Sequence, residues 1–212
     1  MNGIDDNWRY KVKPMKNVAI LIFDEVEVLD FCGPFEVFSV TGQRDNQNPF
    51  HVYTVAETLR PVLARNKLSI NPAYEISKCP KPDILVVPGG YGTRREMNNT
   101  TLTNWIRGCA EDAELTLSVC TGALLLAKAG LLDGLSATTH HVAIDLLREV
   151  APRTDVLDSK RIVDNGNIVL SAGISAGIDM SLYIVSRLLG SQQAEETASY
   201  MEYNWTDAQS VG

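Results

Sequence analysis

The 212-residue chain carries 26 acidic side chains against 19 Lys and Arg, a formal net charge of −7, and is 45% hydrophobic and 21% charged. That balance disfavours a nucleic acid or an anionic membrane surface as partner, and the length suits one α/β domain with a sizeable core. No apolar run approaches the ~20 residues that span a bilayer, and the opening M-N-G-I-D-D-N-W-R-Y-K-V-K-P lacks the apolar stretch of a signal peptide.

Residues 1–15 read as a loose extension, 16–205 as the folded domain and 206–212 as a tail. Asn17 to Phe23, N-V-A-I-L-I-F, is apolar nearly throughout and predicts a parallel strand covered on both faces. Asp30 then precedes F-C-G-P-F-E-V-F-S-V, a predicted helix with Pro34 near its first turn. Phe50 to Ala56 predicts a strand and Leu59 to Ile70 a short hairpin. Asp83 to Val87 is another buried strand, running into P-G-G-Y-G, and Thr100 to Glu111 an amphipathic helix. Leu115 to Val119 predicts a strand and Thr121 to Ala129 a helix, followed by a short strand at Ala137 to Thr139 and a helix from Val142 to Val150. Arg161 to Asp164 and Ile168 to Ser171 flank D-N-G-N, a strong hairpin signal. Ser175 to Leu189 and Ala194 to Tyr203 close the chain as helices. This alternation argues for a doubly wound, mostly parallel sheet with helices on both faces. Ligands of such sheets bind at the carboxyl ends of the strands, so Asp24 to Asp30, Pro88 to Tyr91, Cys120 and Ala172 to Ser175 should converge.

Cys120 carries most of the chemical information. It falls at a strand-to-helix junction, the geometry of a nucleophile elbow, with Gly122 and Ala123 small enough to let the helix pass close to its neighbours. A helix N-terminus beneath a thiol lowers its pKa, which gives the expectation of a thiolate titrating between roughly 4 and 7. The competing reading is a buried structural cysteine. The other cysteines, Cys32, Cys79 and Cys109, match no zinc pattern and no C-x-x-C redox pair, and three histidines make a poor basis for a metal site. Reduced thiols in a cytoplasmic protein follow. Asp30 competes with a simple N-cap role, Gly89 and Gly90 with a strand-to-loop turn, and Glu25 and Glu27 read as solvated loop charges.

The motifs F-D-E-V-E-V-L-D-F-C-G-P-F-E-V-F, D-I-L-V-V-P-G-G, S-V-C-T-G-A-L-L-L-A-K-A-G-L-L-D-G, A-T-T-H and A-G-I-D resemble the ThiJ/PfpI superfamily, from about Asn17 to Tyr203. The resemblance implies a flavodoxin-like fold akin to class I glutamine amidotransferases. L-D-x-x-G-P, S-V-C-T-G, A-T-T-H and A-G-I-D look most like the isocyanide hydratases. They also occur in the sensor-like domains of AraC-type regulators. By resemblance, Cys120 is the nucleophile and Asp30 the carboxyl group that hydrogen-bonds it. The backbone N–H groups of Gly90 and Thr121 face the reacting centre, and Gly89, His140 and Asp179 support the site. His140 reads as a hydrogen-bonded structural residue, and Asp179 as a brace at a helix start. Peptidase-like members place a histidine directly after the nucleophile, where this chain has Thr121, and no H-x-E follows His140. A Cys–His–Glu hydrolase is therefore disfavoured.

The resemblance implies hydration of a small-molecule isocyanide to an N-substituted formamide through a cysteine thioimidate, with no metal or organic cofactor and in a homodimer. Two alternatives stand beside it: a non-enzymatic ligand-sensing domain, and a cysteine-based redox or carbonyl-stress protein. The chain leaves no room after Tyr203 for a helix-turn-helix module, which counts against the sensor.

Overall fold

The computed structural model describes residues 15–206, so the extension and the tail read from the sequence lie outside the described residues except for Met15 and Thr206. In chain order the elements are β1 (Lys16–Leu21), α1 (Val28–Val40), β2 (Phe50–Ala56), β3 (Val62–Leu63), β4 (Ser69–Ile70), β5 (Tyr74–Glu75), β6 (Ile84–Val87), α2 (Thr93–Glu96) and α3 (Thr100–Asp112). They continue with β7 (Leu115–Val119), α4 (Gly122–Lys128), β8 (Ser136–Ala137), α5 (Ile144–Val150), β9 (Asp155–Val156), β10 (Ile162–Asp164), β11 (Ile168–Ser171), α6 (Ala176–Leu189) and α7 (Ser191–Tyr200).

Seven strands form one sheet in the order β10-β11-β7-β6-β1-β2-β5. All neighbours are parallel except β10, which returns antiparallel on β11 through the turn at Gly166. Val18 lies beside Ile84, Ile84 beside Leu115 and Thr116 beside Ile168, so the most apolar segments occupy the sheet centre. Every residue of β6, β7 and β11 is buried, as parallel strands covered on both faces require. Helices α1, α6 and α7 pack on one another, α3 and α5 both pack on α4, and the two groups cover opposite faces of the sheet. The doubly wound α/β architecture expected from the sequence is the one observed.

Local rules explain several boundaries. Asn99 caps α3, its Oδ1 accepting the Leu102 N–H at 3.3 Å, and Leu102 and Ile106 then fall on the buried side one turn apart. In α6 the buried residues Ala176, Gly177, Met180, Ser181, Ile184 and Val185 follow the helical period. α1 differs from expectation: it begins at Val28, so Pro34 sits well inside it. A proline there removes the N–H that would bond the Asp30 carbonyl. α7 starts three residues earlier than the apolar pattern suggested, because Gly190 at φ +100 ends α6 and lets the next helix begin at once.

Candidate active site

Strand β7 delivers Cys120 to the carboxyl edge of the sheet. The residue adopts φ +56, a left-handed conformation that costs a non-glycine residue about 1–3 kcal/mol. Its N–H donates to the carbonyls of Ser171 (3.2 Å) and Ala172 (3.1 Å) at the end of β11, and its own carbonyl accepts the Thr139 hydroxyl at 2.8 Å. These bonds hold the strained turn. At Gly122 a Cβ would lie 2.0 Å from the Val87 carbonyl oxygen, so only glycine lets α4 start this close to β6. The elbow read from the sequence is present, and the Cys120 side of it is only 5% exposed.

Asp30 is fully buried at the third position of α1. The N-cap place belongs to Glu27, so Asp30 is not the cap of its helix. Its Oδ2 accepts the Gly89 N–H at 3.1 Å. Its Oδ1 is buried with no partner of hydrogen-bond geometry, and the Cys120 thiol acts on its titration from a looser arrangement. Burial pushes the Asp30 carboxyl from 3.8 up to about 7. The Cys120 thiol and the Gly89 N–H pull it down, and the Glu27 charge raises it further.

The thiol departs from expectation. Burial first, and then the Asp30 charge, push Cys120 up to about 12. The backbone N–H groups of Thr121 and Ile174 favour the sulfur anion but are outweighed. A helix N-terminus therefore does not by itself give a free thiolate in a site this dry. What the pair provides instead is one proton shared between a carboxyl and a thiol over a wide pH range above about 7.

Of the two backbone N–H groups expected to face the reacting centre, that of Gly90 is turned to the Thr121 side chain instead. The Gly90 N–H donates to Thr121 Oγ1 at 3.0 Å, and the Thr121 N–H serves the Cys120 sulfur. Thr121 Oγ1 lies 3.2 Å from the Thr93 hydroxyl, which itself donates to the Gly90 carbonyl at 2.8 Å. The Gly90 donor is occupied because the threonine side chain fills the space beside the glycine turn, and the Thr121 donor is occupied by the sulfur itself. Gly90 keeps φ +124 against the 25–27 segment, and Val26 bridges it.

His140 and Asp179 have structural partners of their own. His140 Nδ1 accepts the Val142 N–H at 3.3 Å and its ring stacks on His141 at 4.3 Å. Burial lowers its pKa, with His141 and Arg94 adding to the shift, which fits a structural cap rather than a base. Asp179 accepts from Arg161 Nε at 2.6 Å and from the Tyr203 hydroxyl at 2.9 Å, bracing the start of α6. Glu25 is not a free solvated charge, since it pairs with Arg65 at 2.7 Å in a φ +65 turn. Glu27 is half-buried and acts on Asp30. Sequence reading did not single out Thr93, Thr139 or the Ile174 N–H. Thr139 lay within A-T-T-H, and Ile174 within the segment expected to converge.

A sequence profile of the DJ-1/PfpI family matches residues 16–187. The chain belongs to the DJ-1/PfpI family. It is 35% identical to the isonitrile hydratase of Pseudomonas putida over 187 residues, covering 88% of this chain and 78% of that protein. It is also 34% identical to the HTH-type transcriptional regulator CdhR of Pseudomonas aeruginosa over 138 residues, which is 65% of this chain but 40% of the regulator. The crystal structure of a ThiJ/PfpI family protein from Pseudomonas syringae superposes with a TM-score of 0.81 at 27% identity, over 96% of this chain and 82% of that one.

Within the DJ-1/PfpI frame, this chain joins a carboxyl and a thiol with no histidine between them. Such a pair can form a bond from sulfur while the carboxyl gives or takes a proton. Among the described residues, no group of three His, Cys, Asp or Glu side chains is placed to hold a metal ion. No described helix is long and apolar enough to cross a membrane.

Proposed function

We propose that this DJ-1/PfpI protein hydrates an isocyanide to the N-substituted formamide. The observation that carries the reading is the fully buried Asp30 carboxyl beside a 5%-exposed Cys120, with burial pushing that carboxyl up to about 7. A nucleophile so deeply set is reached by a slender group, and the terminal carbon of an isocyanide is one. The similarity to an isonitrile hydratase supports the same substrate class.

In the reactive arrangement the shared proton sits on Asp30 and the sulfur is the anion, held by the Thr121 and Ile174 N–H groups. Sulfur bonds to the terminal carbon and the Asp30 proton passes to that carbon, giving an S-linked thioimidate, R–N=CH–S. Asp30, now a carboxylate, takes one proton from water as the oxygen adds to carbon, and passes it to nitrogen. It then takes the hydroxyl proton as the carbonyl forms and the carbon–sulfur bond breaks. Formamide leaves, and the pair returns to its starting state. The reaction takes up one water and calls on no redox partner.

Four free cysteines fit a reducing cytoplasm, which we adopt as the location. A homodimer is part of the proposal. Leu29 and Phe35 on α1, and Leu63 and Leu68 on the β3–β4 hairpin, are exposed apolar side chains that a second copy would cover. The similarity to a transcriptional regulator favours a second reading, a domain that binds its ligand without turning it over.

Acid quench of the enzyme mixed with an aryl or alkyl isocyanide, followed by intact-mass and peptide analysis, tests the covalent step. The expected result is an adduct of one isocyanide mass on Cys120. Saturable binding with neither adduct nor product supports the sensing reading instead.

A further inference from the structure

Away from the Cys120 site, a cavity of about 570 Å³ opens where the ends of β1 and β2 meet the α2–α3 junction. Neither Cys120 nor Asp30 lines it. The volume falls among small-molecule sites, which run from roughly 300 to 1,000 Å³. Ile22, Ala56, Val62 and Leu102 give it an apolar floor, and all four are buried.

The walls are charged in both senses. Glu96, its side chain only 10% exposed, receives Arg95 Nε on Oε1 at 2.8 Å and Asn99 Nδ2 on Oε2 at 3.0 Å. The same Asn99 amide donates to Glu57 Oε2 at 2.7 Å. Asp24 takes the Leu63 N–H on Oδ1 at 2.9 Å and Arg60 on Oδ2 at 3.2 Å. The inner carboxylates are thus satisfied from within the protein. Unused capacity lies on two exposed residues of the turn after β2. Arg60 spends one donor on Asp24 and keeps the others, and Glu57 keeps Oε1.

Three carboxylates and two guanidinium groups give the lining charges of both signs. A molecule with both charges and an apolar arm fits all three surfaces. We propose that this cavity binds an α-amino acid with an apolar side chain, its carboxylate on Arg60, its ammonium on Glu57 and its side chain over Ile22, Val62 and Leu102. The site is independent of the chemistry at Cys120.

Titration calorimetry of the full chain with leucine, 4-methylpentanoate and 3-methylbutylamine tests this. Leucine should bind saturably, and each half-molecule at least about tenfold more weakly, the equivalent of losing one charged contact. Arg60→Ala and Glu57→Gln, both at exposed positions and checked for fold by circular dichroism, should each weaken leucine about tenfold. Cys120→Ala should leave leucine binding unchanged. Absence of saturable leucine binding overturns the proposal. So does equal binding of either half-molecule, or leucine affinity that is indifferent to both wall substitutions.

Discussion

The Gly89 N–H donates to Asp30 Oδ2 at 3.1 Å, and this bond ties the loop after β6 to the helix after β1. With Oδ2 held by the backbone, Oδ1 is buried with no hydrogen-bond partner, and the Cys120 thiol lowers the carboxyl's pKa. The orientation of the proposed acid is therefore set by a glycine rather than by another side chain.

A side chain at Gly89 has no room. Its Cβ would stand 2.5 Å from the Thr121 nitrogen, 2.7 Å from Thr121 Oγ1 and 2.8 Å from Asp30 Oδ2. Gly89→Ala should destabilise the fold by about 1–3 kcal/mol through overpacking, and remove most turnover by displacing Asp30. Urea unfolding alongside steady-state rates checks both effects. A variant of wild-type stability and rate contradicts the geometry.

Asp30→Asn separates charge from shape. The folded chain holds the Asp30 proton up to about 7, against 3.8 for a free aspartate carboxyl. It therefore binds that proton more tightly than the unfolded chain does, and stability falls as pH rises between those values. Above about 7 the penalty is fully developed, on the order of 4 kcal/mol at most. Asparagine carries no charge and keeps an acceptor for Gly89. The unfolding temperature of Asp30→Asn relative to wild type should rise from about pH 4 to about pH 7 and then level off. A difference that does not change with pH contradicts the buried carboxyl.

The thiol gives a separate test. Burial and the Asp30 charge hold Cys120 up to about 12. Thiolate absorbance of wild type should rise only in strongly alkaline solution, and Asp30→Asn should move that rise downward by removing the carboxylate. Turnover should nonetheless climb through about pH 7, where the pair loses its first proton and can place the remaining one on Asp30. A wild-type thiolate already formed in weak acid contradicts this.

Thr121 is a positioning residue whose hydroxyl accepts the Gly90 N–H and meets the Thr93 hydroxyl. Thr121→Val leaves a buried N–H unpaired, a cost of about 1–3 kcal/mol. Thr121→Ser keeps the acceptor and should retain most of the stability. Thermal unfolding of the two variants decides, and a valine variant as stable as the serine one contradicts the assigned bond.

Much of this arrangement was legible in the sequence because it is local. The apolar runs of β6 and β7 announce strands buried on both faces, and the following small residues announce the elbow. D-N-G-N announced the β10–β11 hairpin, since Gly166 supplies the positive φ that the turn needs. The two-residue strands β5 and β9 went unread, because segments that short carry no period, and β8 was expected slightly later, at Ala137 to Thr139. The site residues were read from motifs, whereas their electrostatics depend on three-dimensional burial. Cys120 shows this: its position was plain from the chain, but the direction of its pKa shift follows from dehydration and from Asp30, ninety residues away in sequence. The occupied Gly90 donor likewise depends on where the Thr121 side chain lands across the elbow.

The most direct test of the central claim is formamide production by the full chain, by Asp30→Asn and by Cys120→Ala, followed by mass spectrometry with several isocyanides of different size. Wild type should convert isocyanide to the matching formamide, Asp30→Asn should lose on the order of 10²-fold or more, and Cys120→Ala should be inactive. No formamide from wild type with any isocyanide, or an undiminished rate in Cys120→Ala, would contradict the account.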